Sequence, residues 1–315
     1  MITGQRIAVF GGSGFIGRYV VKRLASQGWV VRVAVRDPVA AAFLKPMGDV
    51  GQIVIMKADL CDETAVAAAL DGAAAAINLV GILYERGRQR FTSLHDEGAG
   101  RLARLAAASG VTRLIHVSAI GADADSPAVY ARTKAAGEKA VRAAFPEATV
   151  IRPSVVFGPE DGFFNRFAAM AMISPALPLI GGGQTRFQPV YVGDVAEAIV
   201  RALDDSVAPG QTFELGGPKI YTFRQLMELL LAQIRRHRCL VNLPFGLAEL
   251  QAAVLERLPV PPLTRDQVRL LRRDNVVTPG AKGLADLGIV PTAVETVIPS
   301  YLEIYRRGGR FRRAA

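Results

Sequence analysis

One tyrosine in this chain has a lysine four residues after it, in Tyr130-Ala131-Arg132-Thr133-Lys134, and none of the others among the seven tyrosines shares that spacing. On a helix the two side chains stand on one face about one turn apart. An ammonium beside a phenol favours the phenolate and lowers its pKa from roughly 10. Such a phenol suits general acid work on a carbonyl that accepts hydride. Ser118 ends the preceding apolar run, where its hydroxyl can bond the same oxygen. The plainer reading of the pair is an exposed contact on an amphipathic helix.

A second pattern concerns phosphate. The apolar run Ile7-Ala8-Val9-Phe10 leads directly into Gly11-Gly12-Ser13-Gly14-Phe15-Ile16-Gly17 and a helical pattern, with Arg18 directly after the loop. Gly11, Gly14 and Gly17 give the spacing of a dinucleotide loop. The first allows a tight turn, the second lets backbone approach a pyrophosphate, and the third allows close packing of helix on strand. The free N–H groups of the helix start then face the negative phosphates. A glycine-rich turn without a ligand is the alternative.

The end of the second apolar run bears on NAD against NADP. An acidic residue there would hold a ribose 2′-hydroxyl. Here Val33-Ala34-Val35 is followed by Arg36, and Arg18 can lie on the same side. Two guanidiniums suit a 2′-phosphate, so NADPH is expected ahead of NADH. Asp37 would serve NAD if the strand ran one residue further. Asp59 and Leu60 follow the third run, where Asp59 either meets the adenine amino group or caps a helix. Leu79, Val80 and Gly81 end the fourth, either flanking the cofactor or making a strand-end turn.

The elements that must position these groups alternate regularly. Apolar runs at Arg6–Phe10, Val30–Val35, Ile53–Lys57, Ala75–Val80, Arg113–Ser118 and Thr149–Pro153 predict strands. Phe15–Gln27, Glu63–Leu70, Leu94–Ser109 and Val129–Ala144 predict helices. This order predicts an α/β fold with a doubly wound, Rossmann-type parallel sheet. The dinucleotide domain is assigned to residues 1–155. A smaller, mostly helical C-terminal lobe takes 156–305, and 306–315 forms a basic tail. Asp194–Leu203 and Thr212–Leu215 are candidates to rejoin the sheet. Within the lobe Phe245–Leu258 carries Leu247, Leu250, Val254 and Leu258 on one face, a pattern expected to pack into the lobe's core rather than onto a membrane.

Of the 315 residues half are hydrophobic, enough for a sizeable core, and the net charge is +10. The excess, rich in late arginines, favours anionic partners, either acidic protein or anionic lipid. Nucleic acid is not expected, because the arginines lack interleaved aromatics or a recognition motif. Cys61 and Cys239 form no metal-ligand spacing, and no metal site is expected. The longest uncharged run, Phe167–Gly183, is interrupted by Pro175 and Pro178, so no transmembrane segment is expected. No signal peptide is read before the first strand.

Gly11, Gly14 and Gly17 with Ser118, Tyr130 and Lys134 resemble the short-chain dehydrogenase/reductase superfamily, in its extended and atypical branches. The resemblance implies that the serine polarises a substrate, the tyrosine donates a proton and the lysine supports both. The asparagine that usually completes that set has no evident counterpart in Ser93-Leu94-His95-Asp96-Glu97-Gly98. Further segments cover nearly the whole chain: Ala136-Gly137-Glu138-Lys139, Arg152-Pro153-Ser154-Val155-Val156-Phe157-Gly158, Gln188-Pro189-Val190-Tyr191-Val192 and Thr264-Arg265-Asp266-Gln267-Val268, with Arg269 to Val277 after it. They are similar to the NADPH-binding, dehydrogenase-like accessory subunits of respiratory complex I and their bacterial relatives.

That resemblance implies a tightly held, structural nucleotide, contacted by the loop from Gly11 to Arg18, by Arg36, Asp59, Leu60, Leu79, Val80 and Gly81, and by Ser118, Tyr130, Lys134 and Pro153. It implies partners among complex I subunits near the quinone site, contact with anionic lipid, and a peripheral place on a membrane. The lack of an import-type extension suggests the cytoplasmic face of a bacterial inner membrane. Two rivals are a free NADP-dependent reductase or sugar-nucleotide epimerase/dehydratase-like enzyme, and a binding module whose partner affinity changes with nucleotide occupancy.

Overall fold

The strand β1 (Arg6–Phe10) is buried along four of its five residues and runs at the centre of the sheet in a computed structural model that describes residues 4–204 and 209–309. Helix α1 (Phe15–Ser26) turns Val20, Val21 and Leu24 onto it. The chain continues through β2 (Val30–Val35), β3 (Ile53–Lys57), α2 (Glu63–Leu70) and β4 (Ala75–Asn78). A π-helical turn at Thr92–Glu97 leads into α3 (Gly98–Ala108). Then come β5 (Arg113–Val117), α4 (Val129–Ala144) and β6 (Thr149–Pro153). Every strand pairing here is parallel.

After β6 the chain forms β7 (Val156–Phe157), α5 (Phe164–Ile173), β8 (Ala176–Ile180), β9 (Arg186–Phe187), β10 (Val190–Tyr191) and α6 (Val192–Arg201). The next strand, β11 (Thr212–Leu215), joins β6 in parallel, from Thr212 opposite Val150 to Leu215 opposite Pro153. The sheet therefore has seven strands in the order β11-β6-β5-β4-β1-β2-β3. This doubly wound parallel sheet is the predicted fold class, with sheet order reversing beside β1 and β4. The strands read as nearly continuous apolar runs because both faces are covered.

Contacts divide the chain into two units. The first contains the described parts of Met1–Pro153, with Gly193–Leu215 and Gly280–Ile289. The return of Gly280–Ile289 has no apolar periodicity to announce it. It is held by polar groups: the Glu214 N–H donates to the Lys282 carbonyl at 2.8 Å, and Arg201 Nη1 to the carbonyls of Leu287 and Gly288 at 2.8 and 2.9 Å.

The second unit contains Ser154–Val192, Gly216–Pro279 and the described part of Val290–Ala315. Its further elements are β12 (Tyr221–Thr222), α7 (Phe223–Gln233), β13 (Cys239–Leu243), α8 (Phe245–Leu255), α9 (Arg265–Leu270) and α10 (Val294–Leu302). Besides helices it contains the pairs β7–β10, β8–β13 and β9–β12. The β8–β13 pair is unannounced in the sequence, because Pro178 argues against a strand; a two-stranded pair tolerates it since each strand has a free edge. Helix α8 differs from expectation. Leu247, Leu250, Val254 and Leu258 are 57, 67, 62 and 49% exposed, whereas Ala248 and Ala252 are fully buried against Val268 and Ile180. The small alanines allow the close approach, so the leucine face points outward. Residues 310–315 of the basic tail lie outside the described residues.

Two anchors fix the helix that carries Tyr130 and Lys134. Glu138 is buried and takes a two-pronged contact from Arg152 on β6, at 2.8 and 2.7 Å, and Arg152 reaches Glu214 on β11 at 3.3 Å. Gly137 lies so close to the His95 carbonyl that any side chain would overlap it. Removing one partner of a buried ion pair strands the other. Glu138→Ala is expected to cost about 3 kcal/mol of stability, read as a lower urea midpoint at unchanged m-value.

Candidate functional site

All the residues singled out in the sequence as site candidates lie in the first unit. The phosphate loop follows β1 directly. Gly11 adopts φ +80°, a conformation that favours glycine. Its Cα faces the end of β4: a Cβ there would lie 3.2 Å from Leu79 C and Val80 N. Gly12 is packed on Val33, and a Cβ at Gly17 would overlap the Gly11 carbonyl, so helix and loop are as close as backbones permit. At Gly14 an added Cβ would meet only the Gly11 oxygen, at 3.2 Å, leaving the outer side open. No side chain caps α1 at Gly14. The first-turn N–H groups of α1 are thereby available to an anion, alongside Ser13, Phe15 and Ile16.

On the adenosine side the expected residues separate in role. Arg18 is drawn back to its own loop, with Nε 3.4 Å from the Gly14 carbonyl and the guanidinium stacked 4.9 Å over Phe43. Arg36 is exposed and lines a cavity of about 370 Å³ with Asp59, Arg86 and Arg88. Asp37 is occupied, because its Oδ1 accepts the N–H groups of Val39 and Ala40 at 3.0 Å each. Asp59 Oδ1 accepts the Cys61 N–H at 2.9 Å, while Asp62, not Asp59, caps α2. Leu60 turns its side chain into the core, and its carbonyl accepts from Arg101 at 2.7 Å. Arg86 and Arg88 carried no sequence signal: they sit in an irregular stretch with neither periodicity nor motif.

Near the other end stand Ser118, Tyr130 and Lys134. Ser118 is buried just after β5, its N–H bonded to the Ile151 carbonyl at 2.7 Å, and its hydroxyl has no partner. Pro153 ends β6, and its carbonyl accepts the Ile120 N–H. Lys134 Nζ donates to the Val117 carbonyl at 3.2 Å. Burial pushes Lys134 down to about 8, offset in part by Glu138. Tyr130 differs from expectation: burial pushes its phenol up to about 12, so the neutral acid is favoured. An orphaned buried hydroxyl, an open glycine cradle and an exposed guanidinium all fit a dinucleotide.

His95 enters this cluster unannounced. The π turn of Thr92–Glu97 delivers it beside Tyr130, with ring centroids 5.4 Å apart at 89°. Burial and the Lys134 and His116 charges hold it near 2, hence neutral. A larger open concavity of about 520 Å³ on the second unit, lined by Arg235, Arg236, His237 and Arg238, contains none of the residues above.

Residues 7–216 match the model of the NAD dependent epimerase/dehydratase family. The chain belongs to that family. A member from Arabidopsis thaliana, the mitochondrial "NADH dehydrogenase [ubiquinone] 1 alpha subcomplex subunit 9", is 40% identical over 98% of this chain and 80% of its own length. The "NADH-ubiquinone oxidoreductase 40 kDa subunit, mitochondrial" of Neurospora crassa is 36% identical over 97% and 80%. Among solved structures, a dTDP-glucose 4,6-dehydratase from Streptomyces venezuelae with NAD bound superposes with TM-score 0.74 at 20% identity, covering 96% of this chain and 97% of that one. This chain is thus similar over nearly its whole length to two subunits named for NADH dehydrogenase or NADH-ubiquinone oxidoreductase, and it shares the fold of the third protein.

Lys134 makes a stability test of the site. Its ordinary value is 10.5, so between about pH 8 and 10.5 the unfolded chain binds more protons than the folded one. Stability from this group therefore rises with pH through that window. At pH 7 Lys134→Met is expected to stabilise the nucleotide-free protein by about 2 kcal/mol, after allowing for the lost Val117 partner, and to flatten that rise. Urea midpoints of the two proteins across the window measure both effects.

Proposed function

We propose that this chain is an NADPH-holding accessory subunit of respiratory complex I, the NADH:quinone oxidoreductase, without turnover of its own. The observation that carries the proposal is identity to complex I subunits over nearly the entire chain, 40 and 36% in two distant eukaryotes. The site supports a holding role. The nucleotide would lie along the loop from Gly11 to Arg18, with Arg36 toward the adenosine phosphate, Val80 and Gly81 at its middle, and Ser118, Tyr130, Lys134 and Pro153 toward the nicotinamide. When bound, a nicotinamide dinucleotide supplies hydride chemistry. The residues around it bind and exclude water: Tyr130 retains its proton, and Lys134 is committed to a backbone carbonyl.

NADPH is favoured over NADH because Arg36 faces the cavity while the Asp37 carboxylate is already used within its own turn. A guanidinium gives a 2′-phosphate charge-assisted bonds, and the turn takes up one of the two Asp37 oxygens that a 2′-hydroxyl could use. Partners would be other complex I subunits near the quinone site. The outward leucine face of α8 and the arginine excess favour docking on acidic protein or anionic lipid. No helix among the described residues is long and apolar enough to cross a membrane. The place proposed is peripheral, on the cytoplasmic face of a bacterial inner membrane.

The second reading, a free NADP-dependent reductase or epimerase/dehydratase-like enzyme, rests on the unpartnered Ser118 hydroxyl beside Tyr130 and Lys134. Steady NADPH oxidation by the isolated protein, abolished by Tyr130→Phe, would establish that reading instead.

Gentle detergent extraction of native membranes tests the first. The chain is expected to copurify with a quinone-reducing complex and to release NADPH on denaturation. Gly14→Asp, which sets a carboxylate against the pyrophosphate, is expected to empty the site and reduce incorporation. Normal assembly with an empty site would refute the holding role. In the isolated protein Arg36→Asp is expected to weaken NADPH binding at least tenfold, about 1.4 kcal/mol, with a smaller effect on NADH, as read by calorimetric titration.

A further inference from the structure

The buried imidazole of His95 makes two directional hydrogen bonds. The Ile82 backbone N–H, which can only donate, lies 3.0 Å from Nε2. Nε2 therefore accepts, and in the neutral ring Nδ1 carries the hydrogen. Nδ1 is 3.2 Å from Thr133 Oγ1, and the Thr133 hydroxyl spends its own proton on the Tyr130 carbonyl at 3.0 Å. The chain Ile82 N–H to His95, His95 to Thr133, and Thr133 to Tyr130 O runs in one direction without a conflict. It joins two segments that the sheet alone would leave independent: the loop after β4 and the first turn of α4.

Several costly features serve this placement. The π turn, an arrangement that interrupts regular helical bonding, brings His95 inward. Gly137 gives its carbonyl room. On the loop, a Cβ at Gly81 would sit 3.2 Å from Lys134 Nζ and 3.7 Å from His95 Nε2. Asn78 pins the same loop from the strand side, its Oδ1 accepting the Val80 N–H at 3.1 Å. Phe91 and Tyr130 wall the ring at centroid distances of 5.3 and 5.4 Å. Protonation would destroy the acceptor at Nε2, and burial together with the adjacent Lys134 charge opposes it.

We propose that His95 is a positioning residue that ties the loop Val80–Ile82 to the start of α4 and thereby sets how tightly this site holds its dinucleotide. The inference rests on the dinucleotide site proposed above. It assigns His95 no contact with the reacting atoms. Its consequence is chemical: a substitute must accept a hydrogen bond where Nε2 stands. A glutamine reaches that far and can present its carbonyl oxygen to Ile82. An asparagine reaches only as far as Nδ1; it can serve Thr133 but leaves the part-buried Ile82 N–H without its acceptor, which is costly and frees the loop.

The experiment compares His95→Gln, His95→Asn and His95→Ala with the parent protein, by calorimetric titration with NADPH and by thermal unfolding without nucleotide. His95→Gln is expected to keep affinity within about threefold, and His95→Asn and His95→Ala to lose about tenfold or more. Equal affinity for parent and His95→Asn would overturn the proposal, as would a Gln variant no better than Ala. Nitrogen-15 spectra of histidine-labelled parent protein give an independent reading that no folding defect can obscure. They should show His95 with Nδ1 protonated and Nε2 bare, unchanged from pH 6 to 8; the opposite tautomer would sink the idea. A parent protein that takes up no dinucleotide, while showing the expected tautomer, would instead refute the functional reading and leave the His95 linkage standing.

Discussion

Burying an ammonium at the carboxyl end of a parallel sheet is expensive, and much of this protein's first unit is arranged around that cost. Lys134 is 4% exposed. A lone cation in such a place would shed its proton or unfold its surroundings. Here the Val117 carbonyl receives it, and Glu138, one helical turn on, stands near enough to raise its proton affinity again. Glu138 is itself secured by Arg152, and Arg152 by Glu214, so the charge on α4 is balanced through β6 to the edge strand β11. One buried cation thus sits at the end of a polar network spanning three elements. Burial first, and its field second, keep both nearby histidines neutral, His116 near 3 and His95 near 2.

Neutrality is useful to those histidines. His116 Nδ1 faces the Asn78 amide at 3.2 Å, and the same Asn78 orients the Val80 N–H. With His95 on the other side, the segment from Asn78 to Ile82 is fixed by side chains at both ends, and the backbone of Gly11 packs on its start. The phosphate loop, the strand-end loop and the catalytic-type helix therefore form one connected structure, suited to gripping a ligand.

The second unit shows why segments far apart in the chain recur together. Asn275 accepts from Ser154 Oγ and from the Val155 N–H through its side chain at 2.7 and 3.0 Å. Its own N–H donates to the Arg186 carbonyl, and its carbonyl receives the Gln188 N–H. Gln188 in turn binds Gly217 and Val277. Thr264 and Gln267 close a reciprocal cap on α9, with Val268 fully buried behind it. Of the segments that marked the complex I resemblance, those at Ser154–Val155, Gln188 and Asn275–Val277 are thus joined by hydrogen bonds, while the Thr264–Gln267 cap closes on itself. Each piece would be hard to change alone.

The sequence by itself determined the strands and α-helices of the first unit, though not the return of Gly280–Ile289, because continuous apolar runs and glycine spacing are local signals that tertiary context seldom reverses. It also fixed the positions of Ser118, Tyr130 and Lys134 along the chain. Tertiary structure decided what their neighbours made of them. Tyr130 is raised rather than lowered in pKa, since burial outweighs a lysine already committed to Val117. Asp37 commits its Oδ1 to its own turn, and Arg18 rests its guanidinium over Phe43. Arg86 and Arg88 reach the site from irregular backbone, where no periodicity exists to be read, and His95 is turned inward by a π turn at the start of a helix that the sequence reads as regular. The leucines of α8 obey helical spacing yet face outward, because periodicity reports that a face is apolar and only packing reports what that face meets.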